Sequence, residues 1–222
     1  MPLPHLTPPD MIAIVAYGMG NTASIRNMLR RVGASSVITS DPDAIRTADA
    51  LILPGVGAFD HGMQSIHAMG LADVLHDAAT QQHKPILGIC LGMQLMTRGS
   101  EEGTQPGLGW VAADTVRFQL AHRPDLKVPH MGWNTTTVHR SGALFPNLDA
   151  ARFYFVHSYH VVCDDAADVV ATAHHGLDVT AAFQHGHIMG TQFHPEKSHR
   201  FGMQLLQNFV AHVASSVVPL AA

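Results

Sequence analysis

Residues 85–94, Pro-Ile-Leu-Gly-Ile-Cys-Leu-Gly-Met-Gln, constrain the fold of this chain more than any other stretch. Ile86, Leu87 and Ile89 form an apolar run without polar alternation, the pattern of a strand covered on both faces and so of a parallel sheet between helices. From Leu91 the pattern becomes helical. A strand that runs straight into a helix needs a sharp turn, and Gly88 and Gly92 stand two before and two after Cys90 to allow it. A thiol on such a turn sits at the carboxyl edge of the sheet and at a helix N-terminus, whose unpaired N–H groups favour the thiolate. The spacing therefore predicts a nucleophile. On this segment alone, a buried cysteine serving as a small apolar residue is the competing possibility.

The order of elements agrees with a sheet of that kind. Apolar runs at 12–16, 37–39, 50–53 and 86–89 predict strands, and 22–31 and 71–83 predict helices between them. The second half changes character, with short extended runs at 115–118, 135–138, 154–157, 169–174, 180–184 and 187–193 separated by Gly, Pro and Asp. These predict antiparallel strands added to the same domain, and 201–213 predicts a closing helix with its apolar residues at helical spacing. The fold class expected is α/β, a mostly parallel central sheet flanked by helices with additional antiparallel strands in the second half.

A cysteine nucleophile needs a base and a group that orients it. In Gly190-Thr191-Gln192-Phe193-His194-Pro195-Glu196-Lys197-Ser198 the apolar run ending at Phe193 predicts a strand. His194 and Glu196, two apart, would project to one side of an extended segment, with Pro195 stiffening the pair. Leu53-Pro54-Gly55-Val56-Gly57 closes another apolar run. Its two glycines would let the peptide beside Val56 turn either its N–H or its carbonyl to a site, and with the N–H of Leu91 this would make an oxyanion hole. Gln94 lies one helical turn past Cys90, within reach of a substrate held by the thiol. An ordinary loop at 54–57 and a surface turn at 194–196 stay open on spacing alone.

Taken together, the GICLGMQ, QFHPEKS and PGVG segments resemble the class I glutamine amidotransferases, the triad type, whose fold is flavodoxin-like. Tyr17-Gly18-Met19-Gly20-Asn21, Pro129-His130-Met131-Gly132-Trp133-Asn134 and Phe153-Tyr154-Phe155-Val156-His157-Ser158-Tyr159 are similar to the glutaminase subunits of imidazole glycerol phosphate synthases within that family, over about residues 12–213. Ala16 departs from the Asp usual before YGMGN. The resemblance implies a Cys90–His194–Glu196 triad and an oxyanion hole at Val56, Gly57 and Leu91. It also implies glutamine contacts at Gln94, Glu102, His157, Ser158 and Tyr159, and a partner face with Asn21, His130, Met131, Trp133 and Lys197. The partner it implies is a (β/α)₈-barrel cyclase, joined as a heterodimer and supplied with ammonia for histidine biosynthesis. Glutaminases serving pyridoxal phosphate, anthranilate or sugar amination share the chemistry but not the PHMGWN and YFVHSY segments. A non-enzymatic subunit would not need all three triad residues.

Composition limits the remaining possibilities. With 222 residues, 46% hydrophobic and 14% charged, the chain can bury a substantial core, and a single domain over 11–222 is expected after a proline-rich, mobile tail at 1–10. A net charge of -4 without a basic cluster argues against nucleic acid and membrane as partners, and no cofactor is expected. A free thiol among only two cysteines points to a reducing cytoplasm. The 17 histidines show none of the ligand spacings of a closed metal site, and Cys163, lacking an elbow, is expected to be a packing residue.

Overall fold

The computed structural model describes residues 11–121 and 123–217; the tail expected at 1–10 lies outside them. The chain runs β1 (Ile12–Val15), α1 (Thr22–Arg31), β2 (Ser36–Thr39), α2 (Pro42–Thr47), β3 (Ala50–Gly55), α3 (Phe59–Ala68), α4 (Ala72–Thr80), β4 (Ile86–Cys90) and α5 (Leu91–Leu95). It continues with β5 (Ala113–Arg117), β6 (His130–Val138), β7 (Arg152–His157), β8 (Tyr159–Cys163), β9 (Val169–His174), β10 (Asp178–His185), β11 (Ile188–Thr191) and α6 (His199–Val217). Short 3₁₀ turns occupy Ala166–Asp168 and Pro195–Lys197.

A nine-stranded sheet in the order β2-β1-β3-β4-β11-β10-β9-β6-β7 spans the molecule. The five strands from β2 to β11 are parallel, and the pairings from β11 to β7 are antiparallel. β5 and β8 form a separate antiparallel ribbon. Strand geometry sends successive side chains to opposite faces, and the core divides accordingly. Ile12, Ile14, Ile52, Leu87 and Ile89 join Ile25 and Leu29 of α1 and Leu205, Leu206 and Phe209 of α6 on one face. Ala13, Val15, Leu51, Leu53 and Ile86 join Met63 and Ile66 of α3 and Leu75 of α4 on the other.

Two helices are additions to the sequence expectation. α2 has the start signals of a helix, Asp41 accepting a hydrogen bond from Asp43 N–H at 3.1 Å and Pro42 in the first turn, but only six residues. α3 buries Phe59, Gly62, Met63 and Ile66 at three- and four-residue spacing, with no side-chain cap at Ala58 to announce it. The strand expected at 187–193 is shorter, ending at Thr191. Among the described residues no helix is long and apolar enough to cross a membrane.

Candidate active site

The elbow is where β4 ends. Ile86, Leu87 and Ile89 are buried, and Cys90 follows with φ 54° and ψ -108°, a conformation that side-chain-bearing residues rarely adopt. α5 begins at the next residue and lies directly on the sheet. A Cβ on Gly92 would fall 1.7 Å from the Leu53 carbonyl oxygen, and one on Gly88 would fall 2.7 Å from Met93 N. Close backbone approach, more than flexibility, is what these glycines supply.

The candidate base, His194, follows the neighbouring strand. β11 pairs in parallel with β4, Thr191 opposite Ile89, so the chain leaving β11 carries His194 to the same edge as Cys90. The geometry of the pair corrects the sequence expectation: His194 and Glu196 do not share an extended segment, because Pro195–Lys197 forms a 3₁₀ turn. Pro195 has no N–H to give a strand ladder and is suited to the first position of a turn. The turn itself brings Glu196 Oε1 to 2.8 Å from His194 Nδ1. β7 and Ser198 hold the segment in place: His194 N–H donates to Tyr154 O at 3.0 Å, and Ser198 Oγ donates to His194 O at 2.6 Å.

The side chains of His194 and Glu196 are both buried. Burial alone would discharge His194, yet hydrogen bonding and charge from Cys90 and Glu196 outweigh it and raise its pKa from 6.5 to about 9. Its Nε2 makes no hydrogen bond of full geometry among the described residues, which leaves that nitrogen available to a reacting group. An imidazole so held keeps its proton at neutral pH and can deliver it to a departing amine.

One cavity of about 360 Å³ collects the remaining candidates: Cys90 and His194 line it together with Val56, Gly57 and Leu91 and with Gln94, Glu102, His157, Ser158 and Tyr159. The loop at 54–57 differs in detail from the expectation. Gly57 has φ +109°, the freedom foreseen for it, but Gly55 ends β3 opposite Cys90. A Cβ at Gly55 would meet Leu91 Cβ and Tyr17 Oη, each at 2.7 Å, so packing explains this glycine. Tyr17 donates to Pro54 O at 2.6 Å, and burial pushes its phenol well up, fixing it as a neutral donor. Gly20 packs against the same turn, its hypothetical Cβ 2.9 Å from Pro54 Cβ.

Glu102 also has a structural task. Its Oε2 accepts the Phe59 N–H at 2.8 Å, capping α3, while Asp60 accepts the N–H groups of Thr104 and Gln105 at 3.0 and 2.9 Å. The loop that carries Glu102 is thereby tied to α3.

The residues expected at a partner face are split by strand alternation. Met131 and Trp133 point outward from β6, 61% and 41% exposed, with Trp133 stacked on His199 at 5.4 Å between ring centroids. His130 is 4% exposed and projects inward, where its Nδ1 lies 2.9 Å from His157 Nε2; a ring there cannot sit on the face that presents Met131. Lys197 is exposed and lies 5.8 Å from the centre of the Tyr154 ring. Asn21 caps α1, its Oδ1 accepting Ser24 N–H at 3.2 Å. The sequence reading missed Gln192, which places its amide 3.7 Å from Cys90 Sγ. Its position two before His194 was the signal available. Among the described residues no group of three or more His, Cys, Asp or Glu side chains could hold a metal ion. Cys90 and Cys163 are both free thiols.

Comparison with known proteins adds the following. The model of the class-I glutamine amidotransferase family matches residues 13–213. A protein of Methanococcus maripaludis described as imidazole glycerol phosphate synthase subunit HisH 2 is 49% identical over 201 residues, covering 90% of this chain and 98% of that protein. A Pseudomonas aeruginosa protein of the same description is 48% identical with the same coverage. A crystal structure of a glutamine amidotransferase superposes with a TM-score of 0.72 at 18% identity, covering 92% of this chain and 98% of the other.

Proposed function

We infer the mechanism from one premise: the chain belongs to the class-I glutamine amidotransferase family, among the HisH subunits of imidazole glycerol phosphate synthase, and hydrolyses glutamine for histidine biosynthesis. As a subunit it has a partner. The observation that carries the residue assignments is the His194–Glu196 hydrogen bond at the same cavity as a cysteine on a strained elbow.

In this reading the Cys90 thiolate attacks the side-chain carboxamide of glutamine, and the oxyanion is met by N–H groups of Leu91 and the Val56–Gly57 loop. His194 protonates the departing nitrogen, which leaves as ammonia. It then takes a proton from the water that hydrolyses the thioester, while Glu196 keeps Nδ1 protonated and the ring in place. Gln94 gives both N–H groups to the protein, to Tyr159 O and Gln192 Oε1, each at 3.1 Å. Its Oε1 is thus the atom left to accept from the substrate's α-ammonium group. The second oxygen of Glu102 serves the same charge, and His157, Ser158 and Tyr159 wall the other end.

The partner in this proposal is a (β/α)₈-barrel cyclase, which uses ammonia to form imidazole glycerol phosphate and aminoimidazole carboxamide ribotide. Ammonia released into water is protonated and ceases to be a nucleophile, so a closed route between subunits conserves it. Met131, Trp133, Lys197 and Asn21 form the contact face, with Lys197 toward a partner carboxylate. Two free thiols suit a reducing cytoplasm. Coupling resides in the Val56–Gly57 peptide, whose orientation the loaded cyclase shifts. Glutamate release by the chain alone, and by the chain with cyclase and its ligand, tests this. Stimulation is expected, reduced by Gly57→Ala and by Lys197→Ala with Cys90 still reactive. Full activity of the isolated chain would refute the coupling.

A further inference from the structure

Gln192 is fully buried between β11 and His194, and its neighbours decide which end of its amide faces the nucleophile. Gln94 Nε2 donates to Gln192 Oε1, so Nε2 of Gln192 is the end directed at Cys90 Sγ, 3.7 Å away. Gln94 is itself fixed, because its other N–H goes to the Tyr159 carbonyl. That carbonyl also takes the Nδ1–H of His157 at 2.8 Å. With Nδ1 the donor, His157 Nε2 accepts from His130 Nδ1 at 2.9 Å, and His130 Nε2 accepts from Asn134 Nδ2 at 3.1 Å. A main-chain carbonyl can only accept, and this one fact sets the direction of the links on both sides of it. The chain requires neutral imidazoles. Burial supplies them: it lowers His157 to about 3, aided by the nearby histidines, and His130 to about 4, aided by His175.

We propose that Gln192 is a further catalytic residue, a side-chain N–H donor to the Cys90 sulfur, with Gln94, the Tyr159 carbonyl, His157 and His130 as positioning groups that hold its nitrogen toward the thiol. The inference rests on Cys90 being the nucleophile. A donor there stabilises the thiolate before attack. It acts again when the thioester is hydrolysed: water adds to the carbonyl carbon, the carbon–sulfur bond breaks, and its electron pair returns to sulfur opposite the donor.

The test is alkylation of Cys90 by iodoacetamide in the full chain, followed by mass spectrometry from pH 5 to 9, which needs neither glutamine nor a partner. Gln192→Glu keeps an oxygen for Gln94 and replaces the donor at sulfur with an acceptor. We expect Cys90 alkylation at neutral pH to fall about tenfold, the scale of one hydrogen bond to a charged group, with the rate profile moved to higher pH. Gln192→Met removes the donor from the sulfur without adding a charge, and should shift the profile in the same direction by a smaller amount. It carries the test if Gln192→Glu does not fold. Cys163, its thiol pushed up to about 12 by burial and by Asp168, Asp164 and Asp165, is the internal control. Wild-type profiles in the folded variants would overturn the proposal. Shifted profiles in a protein that releases no glutamate from glutamine would leave the donor standing and refute the glutaminase assignments instead.

Discussion

Cys90 sits at φ 54°, and a side-chain-bearing residue held there costs about 1–3 kcal/mol, which the packing of α5 against β3 and β4 must overcome. Cys90→Gly and Cys90→Ala should both abolish glutaminase activity, and the glycine variant should be the more stable by about 1 kcal/mol in urea unfolding, since glycine accepts positive φ freely. Equal stabilities would mean that the elbow holds no strain. A glutamine-like electrophile should label Cys90 in the wild type and leave Cys163 unlabelled. His194→Ala should lower kcat by about 10²–10⁴-fold, the usual contribution of acid–base catalysis. Glu196→Gln should cost less, because an amide oxygen can still accept from Nδ1 and retain the ring's orientation. Matching losses in steady-state assays would show that the carboxylate's charge matters as much as the imidazole.

At the level of elements, periodicity in the sequence was enough to find most strands of the sheet and the helices α1, α4 and α6, because each has a clear apolar face. α2 escaped because it is too short to show a period, and α3 because glycine takes one of its buried positions. What no local pattern holds is strand order. That β11 inserts between β4 and β10, and so brings His194 to the same sheet edge as Cys90, depends on contacts about a hundred residues apart; the family resemblance implied that the two residues meet but not the strand order that does it. The candidate site residues stand in the sequence as motifs, but their structural tasks do not: Glu102 as a helix cap, Gly55 as a packing necessity, His130 as an inward partner of His157. Gln192 went unassigned because its one signal, a place two residues before His194, does not tell whether the amide turns toward the thiol. The close approach at the elbow makes a sharp contrast testable. Gly92→Ala would drive a Cβ into the Leu53 carbonyl and should prevent stable folding, whereas Gly99, with nothing within 4 Å of its would-be Cβ, should accept alanine with little change in thermal midpoint.

Across the whole molecule, the buried pair His130 and His157 and the buried His194 make stability depend on pH in opposite directions. His130 and His157 are depressed from 6.5 to about 4 and about 3, so below 6.5 the unfolded chain takes up protons that the folded one refuses. Their contribution is present above 6.5 and is lost as pH falls toward 4, at about 1.4 kcal/mol per pH unit for each proton. His194, raised to about 9, behaves oppositely: its contribution is complete below 6.5 and disappears as pH climbs through 9. Urea unfolding should therefore show greatest stability near pH 6.5–7, with the acid-side slope reduced in His130→Asn; a flat profile from pH 7 to 5 would contradict the buried neutral pair. The insertion of β11 has a consequence for the timing of synthesis as well. A ribosome delivers Cys90 about a hundred residues before His194, and all four residues of β11 are buried in the sheet. While the chain is growing, Cys90 lacks His194, the base proposed for it, so on that assignment a nascent subunit should not consume glutamine until the strand that completes its sheet has arrived.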